Sequence, residues 1–281
     1  MKVLGEKIQQ ARKMHRLSQS ALAAGICTQA TISKIENKNR CESLDVFSSI
    51  CSKLELSVFE CLEESYEQET ERILTVVEKL REQLRAYEAH EILEEYNFKE
   101  DKLSYFTKTK FLYYKGSTSL LGKSDFEGAI AYLKQVVRMK NKTNIYHILS
   151  MNAIGVSYEL QGKYREAAKY NEKAYQMLND FPDDELPVVA SRLFYNLAKY
   201  YSSLKDYERS IELCEEGIKL CKRKNTIMGV DVLLYEKAYN EYHLNGAIEG
   251  YKLAYYFTDF MNHKVLMETI KKNMKEYNIQ L

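Results

Sequence analysis

Only two prolines occur in the 281 residues, Pro182 and Pro187, both inside the acidic stretch FPDDELP. Elsewhere the strongest helix breaker is missing. No run alternates apolar and polar residues for long enough, between turn residues, to make a strand. An excess of either charge is also missing: 41 Lys and Arg against 40 Asp and Glu leave a formal +1. That excludes a globally basic coat and an acidic tail, so any electrostatic partner is met locally. Apolar residues make up 45% of the chain, yet none of their runs approaches the roughly 20 residues of a membrane span. The opening MKVLGEKIQQ has no apolar stretch of the signal-peptide kind, so a cytoplasmic protein with no membrane partner is expected. The six cysteines (Cys27, Cys41, Cys51, Cys61, Cys214, Cys221) form no CxxC pair and have no His at zinc-finger spacing. Neither a disulfide framework nor a structural zinc is signalled, and reduced, mostly buried thiols are expected. His15, His90, His147, His243 and His263 are scattered, with no HExxH, GxSxG or glycine-rich phosphate loop. No enzymatic activity, metal or cofactor is expected.

What is present is apolar spacing at i, i+3 and i+4 throughout, which predicts an all-α fold. Residues 1–65 divide into five short helical segments. Leu4, Ile8 and Ala11 stripe a first helix; Ser18 is placed to cap a second, Gln19 to Ala24; Gly25 permits the left-handed turn that ends it. Thr28 caps a third helix, Gln29 to Asn37, with Ile32 and Ile35 inward and Gln29, Ala30, Thr31, Ser33, Lys34 and Lys38 outward. Leu44, Phe47, Ile50 and Leu54 line a fourth, and Val58, Phe59 and Leu62 a fifth. Two helices joined by a tight glycine turn, the second presenting short polar groups and a lysine, make a helix-turn-helix. Charge supports this independently. Up to residue 40 there are eight basic residues, Arg16 and Arg40 among them, against Glu6 and Glu36, a local +6 on a neutral protein. Such a patch holds a phosphate backbone by counterion release, while Gln and Lys can hydrogen-bond base edges in the major groove.

The run GEKIQQARKMHRLSQSALAAGICTQATISKIENKNR followed by SLDVFSSICSKLELSVFECL resembles the phage-repressor or XRE class of helix-turn-helix domains over residues 4–62. The resemblance implies phosphate contacts at Arg12 and Gln19, and base-edge contacts at Gln29, Ala30, Ser33 and Lys34. Thr28, Lys38 and Arg40 complete the implied DNA-binding set. Arg12 and Glu36 also match a structural ion pair of that class, which would assign Arg12 to packing. The chain departs from the class where Gly25 is followed directly by Ile26 and Cys27, and where the turn after Asn37 has no proline.

Between Gly25 and Gly116 there is no glycine or proline, so the connection to the rest of the chain is not a flexible linker. Ile73, Val76, Val77, Leu80 and Leu84 recur at helical spacing, which predicts a helical linker over 66–84. A stiff coupling element and a first solenoid helix with no signalling role fit these residues equally.

Beyond it the sequence repeats. AIGVSYELQGKYREAAKYNEKA (153–174) fits the tetratricopeptide pattern and LAKYYSSLKDYERSIELCEEG (197–217) repeats it; SDFEGAIAYLKQV and YEKAYNEYHLNGAIEGYKLAYYF are weaker copies. Phe126, Tyr164 and Tyr207 are equivalent positions 38 and 43 residues apart, longer than the roughly 34 of an uninterrupted array, so loops are inserted and FPDDELP is one of them. Gly155, Ala167, Ala174 and Ala198 let paired helices approach, and tyrosines fill the wedges between pairs. Stacked pairs form a superhelix whose concave wall is the usual ligand face. Repeat register assigns to that wall Tyr114 and Lys115, Asn152 and Glu159, Arg192, Tyr195, Asn196 and Lys199, and Tyr235 and Tyr239. Asn152 and Asn196 carry donor and acceptor for a peptide backbone, and Arg192 and Lys199 suit a peptide carboxylate.

An XRE-type head on a tetratricopeptide-like body resembles the peptide-pheromone-sensing transcriptional regulators of the Rgg/PlcR/PrgX group, the repeats being most similar to the PlcR type. The resemblance implies a cytoplasmic transcription factor, a homodimer on an inverted repeat of double-stranded DNA, controlled by a short signalling peptide in the concave groove. It implies a DNA-binding domain at 1–65, the linker at 66–84 and a repeat domain for peptide sensing and dimerisation at 85–281. A peptide-independent repressor and a non-DNA interaction scaffold are the alternatives. Exposed Gln29 and Lys34 and the local +6 favour DNA over the scaffold.

Overall fold

A computed structural model describes residues 1–140 and 143–281. These residues are helical throughout and contain no strand, only two isolated antiparallel bridges, Lys2 with Arg40 and Val3 with Leu62. They divide into two compact units, 1–69 and 70–281.

The first unit holds α1 (Gly5–Met14), α2 (Gln19–Ala23), α3 (Gln29–Lys38) and α4 (Leu44–Lys53). Three of the four start on a side-chain cap: Ser18 accepts from the Ala21 amide, Thr28 from Thr31 and Ser43 from Val46. Gly25 ends the α2 turn at φ +76°, a backbone state that costs a residue with a Cβ. Lys53 closes the same turn by donating to the Ala21, Leu22 and Ala24 carbonyls at 2.9, 3.1 and 3.1 Å. Ile8, Leu22, Ile32, Ile35, Phe47 and Ile50 meet in a fully buried core. The expected fifth helix is instead a single 3₁₀ turn, Phe59–Cys61, with Phe59 88% exposed and Cys61 buried. The chain there is drawn into extended pairing with the N-terminus, Leu4 N donating to Cys61 O at 2.8 Å, which stops any helix. Leu44, expected in the core, is exposed in the first turn of α4.

Helix α5 (Tyr66–Glu82) begins in the last residues of the first unit and runs on in the second. The segment expected as a linker is therefore part of the second unit's core: Leu74 and Val77 are fully buried in one cluster with Leu93, Phe111 and Tyr114. Leu84, at φ +61°, lies beyond the helix end and is exposed. Then follow α6 (Ala86–Glu95), α7 (Tyr105–Lys123), α8 (Phe126–Arg138), α9 (Ile145–Leu160), α10 (Tyr164–Asn179), α11 (Ala190–Ser203), α12 (Tyr207–Arg223), α13 (Val230–Asn245), α14 (Glu249–Phe260) and α15 (Lys264–Glu276). From α7 to α14 the helices pair consecutively, and the first helices of successive pairs, α7, α9, α11 and α13, pack on one another as an inner row. This is the layered stacking that the repeats predicted. FPDDELP lies between α10 and α11 as an inserted loop. Buried Tyr113, Tyr114, Tyr146, Tyr200, Tyr201, Tyr235 and Tyr251 fill wedges between helices, whereas Tyr164 is exposed. A second core cluster of Tyr235, Ala238, Tyr251, Ala254, Leu266 and Ile270 closes the C-terminal end.

Candidate DNA-reading helix and candidate peptide-facing helix

In the first unit the face of α3 is set from beneath. Arg12 is buried and its guanidinium donates to both carboxylate oxygens of Glu36, at 2.6 and 2.9 Å, and to the Leu17 carbonyl at 2.8 Å. The sequence left Arg12 between phosphate and packing; here it faces inward with its donors engaged. Glu36 also accepts from Gln19 Nε2 at 2.9 Å, and Gln19 Oε1 accepts from Gln29 Nε2 at 2.6 Å. A buried ion pair thus positions Gln19, and Gln19 positions an exposed glutamine in the first turn of α3. Burial alone would raise the Glu36 carboxyl; the Arg12 guanidinium and the Gln19 and Gln9 amides outweigh it and hold the group below its ordinary range.

Around Gln29 the surface is short and polar. Thr28 caps the helix and shares a 3.0 Å hydrogen bond with Thr31; Ala30 is exposed, and Ser33 accepts from Asn37 at 3.2 Å. Lys34 pairs with Glu42, both exposed, and depresses the Glu42 carboxyl. Among the described residues Arg16, Lys38 and Arg40 have no side-chain partner and are exposed. They are positive groups with no protein anion to neutralise them, as a phosphate-binding face requires.

In the second unit, α11 carries Arg192, Tyr195, Asn196 and Lys199 at i, i+3, i+4 and i+7, one stripe of a helix. Lys199 is exposed, over the Tyr195 ring at 5.6 Å. Asn196 is half-buried and donates to Asn152 Oδ1 at 2.9 Å; Asn152 donates to Asn171 Oδ1 at 3.1 Å, and Asn171 to Glu159 at 2.5 Å. A chain of amides therefore runs from the α11 stripe into the packed interior and ends on a carboxylate that burial raises above its ordinary range. Gly155 makes room for it: a Cβ there would stand 2.3 Å from Asn171 Oδ1. On α13, Glu236 is 6% exposed, with its carboxyl raised by burial and partly relieved by Lys199 and Asn240.

A family model described as the RNPP family C-terminal domain matches residues 60–279, and a helix-turn-helix model matches 8–61. The chain belongs to the RNPP family. Among solved structures, this RNPP protein is similar to Bacillus thuringiensis PlcR in complex with the peptide PapR7 and DNA, with a TM-score of 0.64, 22% identity, and 96% of this chain and 99% of that one covered. It is also similar to ComR from S. thermophilus in complex with DNA and its signalling peptide ComS (TM-score 0.58, 18% identity, 98% and 99% covered). A third similar structure is the Streptococcus dysgalactiae SHP pheromone receptor Rgg2 (TM-score 0.51, 14% identity, 97% and 99% covered). These likenesses establish the fold. No curated protein matches at a significant level.

Within this RNPP fold the residues assigned to a ligand wall separate into two groups. Arg192, Tyr195, Asn196 and Lys199 share one helix face, and Asn152 and Glu159 join them through the amide chain. Others are engaged elsewhere. Tyr114 is fully buried with its hydroxyl on Glu78 at 3.0 Å, and Lys115 is buried against α6, donating to Leu93 O at 2.9 Å and pairing with Glu94 at 2.6 Å. Tyr235 is buried and accepts from Asn273 on α15 at 2.8 Å, while Tyr239 is half-buried beside His243. Asn152, 1% exposed with both ends of its amide engaged, supports Asn196 from inside rather than standing on a surface. Asn171 and Arg81 are interior polar residues that register missed, while Glu236, which register placed on the concave side with Tyr235 and Tyr239, is buried. Asn171 had a readable signal, a polar residue facing Gly155 in the next helix.

Proposed function

We propose that this RNPP protein is a transcriptional regulator whose hold on DNA is set by a short signalling peptide lying along the α11 stripe. The joining of a helix-turn-helix unit to an RNPP C-terminal domain in one chain carries the reading. It is supported by two similar structures, those of PlcR and ComR, each a complex with DNA and a peptide. In the first unit, Gln29, Ala30, Ser33 and Lys34 meet base edges in the major groove, with Thr28 at the helix start. Gln19, Arg16, Lys38 and Arg40 meet phosphates, and Arg12 acts through Glu36 and Gln19. The protein works in the cytoplasm as a homodimer on an inverted repeat, since each module reads one half-site. Lys34 moves from Glu42 to a DNA group on binding, an exchange between two exposed partners.

A test of base reading is an anisotropy titration of wild type and variants on a selected operator and on scrambled duplexes. Gln29→Ala should cost about 1–3 kcal/mol on the operator and nothing on scrambled DNA. Lys38→Ala should weaken all sequences alike and lower the salt slope by about 1. Equal loss on every sequence for Gln29→Ala would remove that residue from base readout.

Along α11 an extended peptide meets Asn196, whose Oδ1 makes no hydrogen bond among the described residues, between the cations Arg192 and Lys199 and beside Tyr195. Asn152 and Glu159 act from behind as supports through the amide chain, while Tyr114, Lys115, Tyr235 and Tyr239, engaged with other helices, take no direct part. Asn196→Ala should weaken peptide binding by about 1–3 kcal/mol and leave peptide-free DNA binding unchanged. Calorimetry on both proteins checks this; equal affinities would dismiss Asn196, and no heat from any candidate peptide would leave a peptide-independent repressor.

A further inference from the structure

Helix α2 has only five residues, too few to be stable alone, and its last carbonyls cannot be met from within the helix. Each nevertheless has a partner. The Ser20 carbonyl accepts from the Ala24 amide at 3.1 Å, and that of Ala23 from the Ile26 and Cys27 amides, both at 2.9 Å. The carbonyls of Ala21, Leu22 and Ala24 remain, and these are the three that the Lys53 ammonium reaches from α4. An ammonium carries three N–H donors and no acceptor, so donors and acceptors match in number. Its charge also stands at the negative end of the helix dipole. Among the described residues Lys53 has no carboxylate in ion-pair contact, although it is exposed and lies in the basic unit.

We propose that Lys53 is a positioning residue for DNA reading: its ammonium caps α2 and fixes the turn that aims α3, so an exposed lysine of the basic unit serves the recognition helix without touching phosphate. The consequence for DNA rests on the DNA-binding reading above; the cap does not. The path from Lys53 to the reading face is short. Ala24 to Cys27 lead directly into the Thr28 cap of α3, and Gly25 bends there at φ +76°. Gln19 opens α2, donates to Glu36 on α3 at 2.9 Å and accepts from Gln29 at 2.6 Å. Holding the C-terminal end of α2 therefore holds the carboxamide that orients Gln29. A neutral side chain in place of Lys53 leaves three carbonyls to water, lets the turn open and gives Gln29 more than one orientation. A phosphate ligand behaves otherwise, since its loss weakens every sequence alike and takes one neutralised phosphate out of counterion release.

The test uses the full chain as wild type, Lys53→Met and Lys53→Arg; methionine keeps most of the stem and removes the charge. Hydrogen exchange reads the cap. The Ala24, Ile26 and Cys27 amides should exchange about threefold to thirtyfold faster in Lys53→Met, the range of a cation at a helix C-terminus, and regain most of their protection in Lys53→Arg. Anisotropy titration reads the consequence. On the duplex that wild type selects, Lys53→Met should lose affinity by a similar factor, with scrambled duplexes bound as before and the salt slope unchanged. A double-mutant cycle separates positioning from plain stability: Gln29→Ala should cost less in Lys53→Met than in wild type, because the orientation of Gln29 is already lost. Wild-type exchange at all three amides in Lys53→Met would overturn the cap and the proposal with it. Equal loss on every sequence, with a salt slope lower by about 1, makes Lys53 a phosphate ligand and overturns the proposal. Additivity in the cycle leaves the cap structural and overturns its part in reading. If wild type prefers no duplex, the DNA-binding reading fails and the part in reading with it, while the exchange result still decides the cap.

Discussion

Replacing Arg12 by Ala should destabilise the first unit by about 3–5 kcal/mol, the cost of stranding a buried charge whose partner is removed. The Glu36 side chain is wholly buried and that of Arg12 is 11% exposed, so water does not compensate the carboxylate that remains. Hydrogen exchange of the full-length protein reads the effect locally. Amides of α1 and α3 should exchange about two to four orders of magnitude faster, with those of α9 to α13 unchanged. An acid-side consequence follows from the depressed Glu36 carboxyl. A group held lower in the folded state stabilises above its unfolded value, near pH 4.3, and that contribution is lost as pH falls through the lowered folded value. Wild type should show this acid-side loss in the first unit, and Arg12→Ala should not. The same variant should blur operator discrimination, because Gln19 and Gln29 lose the fixed carboxylate that orders them.

A comparable loss is expected in the second unit from Gly155→Val. Any Cβ at this position would sit 2.3 Å from Oδ1 and 2.7 Å from Cγ of Asn171, a side chain with no exposure. Asn171 must leave, taking with it the bonds to Asn152 and Glu159. Overpacking and unpaired buried amides together cost about 2–5 kcal/mol, so the melting temperature should fall by roughly 5–15 °C. Combining Asn171→Ala with the substitution should recover part of the loss, since one change vacates the space the other needs. Strict additivity would mean the two sites do not share that space. The variant should also impair peptide binding through Asn196, whose inward partner Asn152 loses its own anchor on Asn171.

Much of this molecule is legible from local chemistry. Ser18, Thr28 and Gly25 announce the ends of α2 and α3 because caps and left-handed turns depend on residues a few places apart. Gly155 and the recurring alanines announce the helix pairs because close approach demands small side chains. Features that depend on the third dimension were less legible. Adjacent apolar pairs, Ile73 with Leu74 and Val76 with Val77, leave the buried face of α5 ambiguous. Its packing into the second unit's core decides in favour of Leu74 and Val77. Arg192, Tyr195, Asn196 and Lys199 share one face of α11, since i, i+3, i+4 and i+7 are neighbours on any helix. Repeat register could not show that the notch at Gly155 draws Asn171 inward and takes Asn152 off the surface with it. Nor does any spacing reveal that Lys53 reaches back to the α2 turn, or that an arginine in an ordinary amphipathic pattern is buried without an anion. Those facts arise from which helices meet, and the partners lie far off in sequence.

Peptide control of DNA binding is decided by one anisotropy measurement. A duplex selected from a random pool by the full-length protein is titrated with wild type, alone and with each synthetic peptide encoded by short reading frames flanking the gene. At least one peptide should change the apparent Kd on that duplex about tenfold or more, the scale of a coupling free energy near 1.4 kcal/mol. The change should shrink in Asn196→Ala while binding without peptide stays the same. Identical affinities with every peptide, or a shift that Asn196→Ala leaves intact, would contradict a regulator switched through the α11 stripe.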